Sequence, residues 1–280
     1  MSSYYCLMAG LPDIALNGGG QRAQSVAGFK EVLSEVLTEA DKKLMFYFYL
    51  RYDCLNLVKL LKSPEAEISL LGNYCREQYE EVMESVREKS FNARRYPSFF
   101  ATFVGDYACN KDKKGYFPED AILLEYYKYA LKCPDQMLRQ WFEMNLNVTN
   151  ILTALIARKY DWNVADYIQG DNEVCEMIRQ SSARDFGLGL ELDYVAELMK
   201  IVECEDPVEK EKRIDAFKWM WLEDKTFMDV FSIDAVFAYM CKLEMLERWE
   251  KLDVETGRET FRQIIENLRS EAQVPEEFKR

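Results

Sequence analysis

The sequence predicts an all-α fold built around one large core. Apolar side chains recur at three- and four-residue spacing along most of the chain, which is the periodicity of amphipathic helices. No stretch alternates apolar and polar residues for long enough to form a convincing strand, and 49% of the 280 residues are hydrophobic. We therefore expect a single all-α domain over residues 1–280, with approximate internal units at 22–115, 116–205 and 206–280.

The N-terminal segment is predicted to lack regular structure. Leu11-Pro12 and the run Gly18-Gly19-Gly20 indicate that residues 1–21 form an extended lead-in followed by a loop. Ser25 is a suitable N-cap for the first helix, which is short. The inward face of this helix is predicted from the spacing of Phe29, Leu33, Val36 and Leu37.

A long helix is predicted next. Thr38 and Asp41 resemble a capping box, with Asp in place of the usual Glu or Gln, and Ser63-Pro64 ends the helix. Apolar and aromatic residues, Phe48 and Tyr52 among them, cover most of its circumference. A helix that is apolar nearly all round is expected to be buried inside a helical assembly.

Prolines mark the boundaries of the following helices. One helix is predicted from about Tyr74 to Lys89, and Pro97 is expected in the first turn of another. After a polar loop, Pro118 begins a tyrosine-rich helix that ends before Pro134. The acidic residues that follow Pro118 interact favourably with the positive end of the helix dipole.

Asp135 is the predicted N-cap of a second long helix, which reaches about Tyr160. The remaining helices are predicted at about residues 171–181, 193–204, 208–227, 233–252 and 259–272, the third of them opened by Pro207.

The composition disfavours catalysis. The chain has no histidine, and therefore lacks the commonest general base and the commonest neutral metal ligand. Its eight cysteines are scattered without a Cys-x-x-Cys pair, which disfavours a disulfide framework or a zinc site and favours small apolar side chains in helical surroundings. We expect no catalytic residue, no cofactor and no metal site; an enzyme that uses carboxylates and a metal is the alternative.

Negative charge is concentrated in the second half of the chain. Residues 1–140 hold 18 Lys and Arg against 19 Asp and Glu, a net charge of −1, whereas residues 141–280 hold 18 against 30, a net charge of −12. Such a surface repels phosphate backbones, so no nucleic-acid partner is expected. Two interpretations are open: the acidic residues solvate the surface, or they form a docking face for a basic partner.

The short motifs in the sequence do not predict a binding, catalytic or modification site. The run Gly18-Gly19-Gly20 is followed by Gln21-Arg22, where a phosphate-binding loop needs Lys and Ser or Thr. Gly187-Leu188-Gly189 lacks the third glycine of a dinucleotide site and is expected to break a helix. Asn147-Val148-Thr149 matches a glycosylation sequon, but it lies inside a predicted helix.

An internal repeat is the most informative feature. In three predicted helices, a bulky aromatic stretch leads into two polar residues that are three positions apart on one helix face. The pairs are Asp53 with Asn56, Asn147 with Asn150, and Glu244 with Glu247. Each pair either binds neighbouring backbone as part of the fold or faces a partner protein.

This repeat resembles the C-type subunit of the A/V-type rotary ATPases, known as the d-type subunit in eukaryotic enzymes. Members of that family are similarly sized, all-α and built from three helical repeats about a pseudo-threefold axis, with an acid-x-x-Asn signature in an apolar context. The opening from Tyr4 to Pro12, Tyr-Tyr-Cys-Leu-Met-Ala-Gly-Leu-Pro, is also similar to that of a bacterial group whose genes accompany V-type ATPase genes. The chain departs from the family signature at Asn147, which replaces the acid, and at Glu247, which replaces the asparagine.

The resemblance implies a non-catalytic coupling subunit that links the central stalk of a V-type ATPase to its membrane rotor ring. Its partners would be proteins of the stalk and ring, and it would contact the inner face of the membrane only through the complex. No apolar run approaches the roughly 20 residues that span a bilayer and no secretory signal is evident, so a cytoplasmic location is expected. The family architecture would also place three units around a central cavity. A helical protein-interaction scaffold unrelated to the ATPase is the alternative.

Overall fold

A computed structural model describes residues 4–16 and 24–251, and this part of the chain contains α-helices, short 3₁₀ turns and no strand. The helices are α1 (Tyr5–Gly10), α2 (Val26–Val36), α3 (Glu39–Lys62), α4 (Arg76–Arg87), α5 (Ser98–Asn110), α6 (Pro118–Ala130), α7 (Gln136–Lys159), α8 (Glu173–Gln180), α9 (Val195–Glu203), α10 (Pro207–Thr226) and α11 (Ile233–Lys251). The 3₁₀ turns, Val164–Asp166 and Leu188–Leu190, lie on either side of α8. The predicted all-α fold class is confirmed.

The predicted N-caps form as the sequence indicates. The Ser25 hydroxyl accepts a hydrogen bond from the Gly28 N–H at 3.0 Å, and the Asp135 carboxylate accepts one from the Leu138 N–H at 2.9 Å. Each bond satisfies one of the N–H groups that the first turn of a helix leaves without an intrahelical partner. Local sequence therefore determines where α2 and α7 begin.

The start of α3 differs from the predicted capping box. Thr38 accepts from the Asp41 N–H at 3.2 Å as expected, but the Asp41 carboxylate binds the Thr38 hydroxyl at 2.8 Å and the Tyr4 hydroxyl, not the Thr38 backbone. The Thr38 N–H instead donates to the Tyr4 hydroxyl at 3.4 Å. A side chain from the N-terminal segment therefore takes the place of the second half of the box.

The expectation that residues 1–21 form an extended lead-in is wrong for α1. This short helix has no side-chain cap and is held by tertiary contacts. The Tyr4 N–H donates to the Phe231 carbonyl at 2.8 Å, and the Tyr5 ring packs 4.6 Å from the Phe231 ring. A six-residue helix is unstable alone, so distant contacts decide its formation. The run Gly18-Gly19-Gly20 and the predicted helix at 259–272 lie outside the described residues.

Two local expectations are also corrected. Pro97 is the N-cap of α5 and not part of its first turn, since the helix begins at Ser98. Not every cysteine is a buried apolar side chain, because Cys6, Cys75 and Cys109 are exposed. Cys6 lies in α1, which has no buried residue, Cys75 lies just before α4, and Cys109 lies in the last turn of α5, so helical spacing alone did not predict their exposure.

The long helices α3, α7 and α11 meet in an aromatic core. Phe237 of α11 lies 6.0 Å from Phe48 of α3 and 6.1 Å from Phe142 of α7, measured between ring centroids, and both pairs are edge-to-face. All three rings are almost completely buried. Such contacts add to the hydrophobic stabilisation of a core and fix the relative position of the helices.

The first and last described helices of the core also touch. The Phe29 ring of α2 lies 5.1 Å from the Tyr239 ring of α11, and Glu247 of α11 accepts a hydrogen bond from the Val26 N–H at 2.6 Å. Elsewhere α3 packs against α6, α7 against α9, and α10 against both α9 and α11. Residues near the two ends of the described chain therefore pack against each other. None of the helices in the described part of the chain is both long and apolar enough to cross a bilayer.

Candidate functional site

The first polar pair lies on α3 and is completely buried. Asp53 accepts hydrogen bonds from the backbone N–H groups of Asn73 at 2.7 Å and Tyr74 at 3.2 Å, and from the Tyr79 hydroxyl at 2.6 Å. Burial raises the pKa of Asp53 to about 6, and the hydrogen bonds, which favour the ionised form, act in the opposite direction. Asp53 therefore holds the segment before α4 against α3.

Asn56 binds the loop between α3 and α4 through both ends of its amide. Its Oδ1 accepts from the Ser69 N–H at 2.8 Å, and its Nδ2 donates to the Ser69 carbonyl at 2.8 Å. Because the amide supplies one donor and one acceptor, it satisfies both backbone groups of a residue that has no helix or strand partner.

The second pair repeats this arrangement on α7. The Asn150 Oδ1 accepts from the Gln169 N–H at 2.9 Å, and its Nδ2 donates to the Gln169 carbonyl at 2.7 Å. The Asn147 Oδ1 accepts from the Asn172 amide at 2.8 Å, and Asn172 is itself the N-cap of α8. In both helices the second residue of the pair binds one loop residue, and the first binds the segment before the next helix.

The third pair makes different contacts. Glu244 accepts a hydrogen bond from the Tyr52 hydroxyl and lies 4.0 Å from the Arg51 guanidinium, while Glu247 binds the Val26 N–H at the start of α2. A glutamate carboxylate has no N–H donor, so it cannot bind both backbone groups of one loop residue as asparagine does. The departure at Glu247 thus corresponds to a different structural role.

The four residues of the first two pairs are too deeply buried to touch a partner. Asp53 and Asn56 are 0% exposed, Asn147 3% and Asn150 1%. For them the structural interpretation, in which the pair binds neighbouring backbone, is the one that the geometry favours. Glu244 and Glu247 are half-buried and line a cavity.

A cavity of about 370 Å³ lies among α3, α7, α10 and α11, and we name it the charged cavity. Its charged lining residues are Arg51, Asp215, Lys218, Glu244, Glu247 and Arg248. Apolar and aromatic side chains form much of the remaining wall, namely Tyr52, Leu55, Leu71, Trp141 and Met245. The cavity is therefore amphipathic, with charges of both signs.

The charged side chains of this cavity differ in their contacts, since Asp215 is closely paired with Arg248 and Lys218 has no such partner among the described residues. Asp215 is almost fully buried and accepts from the Arg248 guanidinium and, at 2.7 Å, from the Trp249 indole N–H. The pKa of Lys218 is lowered to about 8, chiefly by burial and to a smaller extent by Arg51 and Arg248, although Asp215 acts in the opposite direction. Lys218 thus lies near charges of both signs.

Sequence reasoning missed Arg51, Asp215 and Lys218. Arg51 directly follows the apolar run that ends at Leu50, and Lys218 lies between Phe217 and Trp219. Lys218 carried the available signal, because it stands between two large aromatic residues in a predicted helix and burying an uncompensated charge is costly. The side chain of Arg51, by contrast, is 54% exposed, and the sequence offers no comparable signal for it.

A second concave surface, which we name the acidic cleft, encloses about 960 Å³ between α7, α10 and the segments around α8. Its ionisable carboxylates are Glu143, Asp171, Glu173, Glu191, Asp193 and Asp224. Lys225 is the single cation among the described residues that line it. Part of the net charge of −12 in residues 141–280 is thus gathered on one concave surface.

Acidic neighbours also affect a tyrosine in the acidic cleft. Burial raises the pKa of Tyr194 to about 12, with smaller contributions in the same direction from Glu143 and Asp193. The Tyr194 side chain packs against Phe217 of α10, with ring centroids 5.3 Å apart. The cleft therefore presents an aromatic wall beside its carboxylates.

The remaining motifs occupy structural positions. Gly187 adopts the left-handed conformation, with φ of 76°, and separates α8 from the turn before α9. The sequon residue Asn147 is buried inside α7. Among residues 4–16 and 24–251, no three His, Cys, Asp or Glu side chains are placed so that they could hold a metal ion.

Comparison with known proteins yields a family but no individual relative. A protein-family model described as "Protein of unknown function (DUF2764)" matches residues 1–272. No curated protein and no solved structure shows a significant match.

Proposed function

The chain belongs to the DUF2764 family, and we propose that it is a non-catalytic coupling subunit of a V-type rotary ATPase, linking the central stalk to the membrane rotor ring. The proposal rests on the resemblance of its sequence repeat to the C-type subunit of these ATPases. The repeated binding of a loop by Asn56 and Asn150 is the single structural observation that supports it most directly.

That observation concerns two helices that are far apart in sequence. Asn56 and Asn150 each bind both backbone groups of one residue in the loop that follows their helix. Such an agreement in atomic detail is expected if the two segments are copies of one structural unit. It is therefore consistent with the helical repeats that the proposal requires.

The core also suits a subunit that transmits torque. Phe237 of α11 packs edge-to-face against Phe48 of α3 and against Phe142 of α7, so one ring joins the three helices. Closely packed interiors have low compressibility and transmit strain instead of absorbing it. A coupling subunit needs this property because any deformation between stalk and ring would lose work.

Affinity purification tests the proposal. A tagged full-length chain should co-purify with proteins of the rotor ring or the central stalk from cells that assemble a V-type ATPase. The converse purification, through a tag on a catalytic subunit, should recover this chain in the intact complex. An intact, active ATPase isolated without this chain would contradict the proposal.

A helical interaction scaffold unrelated to the ATPase is the second candidate, and the acidic cleft favours it. Six carboxylates around one concave surface would attract a basic segment of a partner protein. This candidate predicts stable partners that do not belong to the ATPase.

Charge reversal in the acidic cleft separates a specific docking surface from a general effect of charge. The double variant Asp171→Lys, Asp193→Lys should lose partners that bind in the cleft. The matched control, Glu80→Lys with Glu84→Lys on α4, changes the net charge equally and lies outside the cleft, so it should retain them. The identity of the lost partners then decides between the ATPase coupler and the unrelated scaffold.

A further inference from the structure

In the described part of the chain, two cations of the charged cavity have N–H donors that no protein group accepts at hydrogen-bond distance, namely Lys218, which is half-buried, and Arg51, whose side chain is 54% exposed. Among residues 4–16 and 24–250, the Lys218 ammonium makes no hydrogen bond and no ion pair within 4 Å. Within the same part of the chain, the Arg51 guanidinium makes no hydrogen bond, and its ion pair with Glu244 is 4.0 Å long. An ammonium carries three donors and a guanidinium five, so these side chains retain a large capacity to bind an acceptor.

The carboxylates that line the cavity already have other contacts. Asp215 accepts from Arg248 and Trp249, and Glu244 accepts from the Tyr52 hydroxyl. Glu247 accepts from a backbone N–H at the start of α2. These contacts fix the positions of the acids. An added anion would therefore bind at the N–H donors of Lys218 and Arg51, which the carboxylates do not engage at hydrogen-bond distance.

The size and the walls of the cavity limit what this anion can be. A volume of about 370 Å³ falls in the range of small-molecule sites and is too small for a folded partner segment. Leu55, Trp141 and Met245 supply apolar and aromatic wall beside the cations. A suitable ligand therefore combines a charged oxyanion with a small apolar body.

We propose that the charged cavity binds a small organic anion whose phosphate or carboxylate group lies between Lys218 and Arg51. Charge-assisted hydrogen bonds from an ammonium and a guanidinium are the usual means by which proteins bind these oxyanions. The apolar part of the ligand packs against Trp141 and Leu55. The site does not depend on the coupling function and would exist in either proposed role.

Calorimetric titration of the full-length chain tests the site with two probes, inorganic phosphate and acetate. Each is compared with chloride at the same ionic strength, so that general screening is removed. The unmodified chain should bind at least one probe, and Lys218→Gln and Arg51→Gln should each weaken binding by about tenfold or more. The matched control Lys210→Gln removes a cation from the same helix outside the cavity and should bind as the unmodified chain does.

The pH dependence provides a readout that a purely structural lysine would not show. The charged groups that act on Lys218 are Asp215 and Glu211 of its own helix, Arg51 of α3 and Arg248 of α11. On α11, the Cys241 thiol also interacts with Lys218, and Glu244 and Glu247 line the same cavity. Since the pKa of Lys218 is about 8, its ammonium is lost as the pH rises above this value. Acetate keeps its charge in this range, so its affinity should fall by about tenfold between about pH 7 and about pH 9.

The outcomes distinguish the sources of the oxyanion and can overturn the proposal. Binding of phosphate without acetate assigns the site to phosphate compounds, and the reverse assigns it to carboxylates. Absence of binding by both probes, or equal binding by Lys218→Gln and the unmodified chain, would overturn it. Equal losses in Lys210→Gln and Lys218→Gln would also do so, because they would show a general charge effect. Arg51→Gln provides a second, independent variant if Lys218→Gln does not fold.

Discussion

The second residue of the polar pair has the same role in α3 and in α7, and asparagine is suited to it. Asn56 and Asn150 both use an amide as donor and acceptor for one loop residue, which a carboxylate could not do. The first position of the pair differs: Asp53 accepts from the Asn73 N–H and the Tyr79 hydroxyl, whereas Asn147 accepts from the Asn172 amide. Both side chains act there as acceptors, which either a carboxylate or an amide oxygen can do.

Asp53→Asn should remove a pH dependence of stability. The pKa of Asp53 is raised in the folded state to about 6, so between about pH 4 and about pH 6 the folded chain binds more protons than the unfolded chain. Stability should consequently fall as the pH rises through this window, by about 3 kcal/mol at most for a shift of roughly two pKa units. Urea denaturation at the two ends of the window measures this slope.

The comparison with the unmodified chain isolates the effect of Asp53. The variant should show a shallower decline of stability with rising pH, and Asp106→Asn, an exposed substitution on α5, should leave the slope unchanged. Identical slopes for Asp53→Asn and the unmodified chain would show that the buried carboxyl is not responsible.

At the scale of elements, three side chains from α2 and α3 hold the loop between α3 and α4. Asn56 binds Ser69, Asp53 binds the segment at Asn73, and Lys30 of α2 donates to the Gly72 carbonyl at 2.5 Å. Gly72 is required here because of space: a Cβ would overlap with Asp53 Oδ1 and lie only 2.8 Å from the Tyr79 hydroxyl. The loop thus approaches α3 more closely than any other residue type would permit.

Gly72→Ala should destabilise the fold by about 2 kcal/mol or more, because the methyl group displaces a packed hydrogen-bond network. Gly105→Ala is the matched control. Gly105 lies in α5 with no atom within 4 Å of the position that a Cβ would occupy, so alanine there should stabilise the helix by about 1 kcal/mol. Thermal and urea unfolding measure the change in the free energy of unfolding, which should have opposite signs in the two variants. Equal changes in both variants would contradict the role given to Gly72.

Some helix ends are set by nearby residues in the sequence, and others by tertiary contacts. Ser25 and Asp135 cap α2 and α7 as predicted, because a cap is a contact between residues three positions apart. The N-terminal helix α1 was not predicted, because the residue that anchors it, Phe231, lies more than two hundred positions away. Tyr4 likewise completes the start of α3 from a distance.

At the scale of the whole molecule, one buried cluster extends from Tyr4 to Met245 and includes side chains from α3, α7, α10 and α11. We expect the chain to unfold in a single cooperative transition, because no unit can lose its packing without exposing the others. All five tryptophans lie at or beyond residue 141, so their fluorescence reports on the second half, whereas far-UV circular dichroism reports on every helix.

Coincident transitions by the two methods are the expected result. If the approximate units at 22–115, 116–205 and 206–280 were independent domains, the dichroism transition would begin before or end after the fluorescence transition. Non-coincident curves would therefore contradict a shared core and support separate domains.

The sequence by itself determined the all-α class, most helix positions, two helix caps and the polar pairs Asp53/Asn56 and Asn147/Asn150. These features depend on periodicity and on contacts between near neighbours, which one sequence records directly. Tertiary structure alone decided that Arg51, Asp215 and Lys218 share a cavity and that Glu247 reaches the start of α2. Those contacts join distant helices, and their geometry depends on how the whole core packs, so no local pattern encodes them.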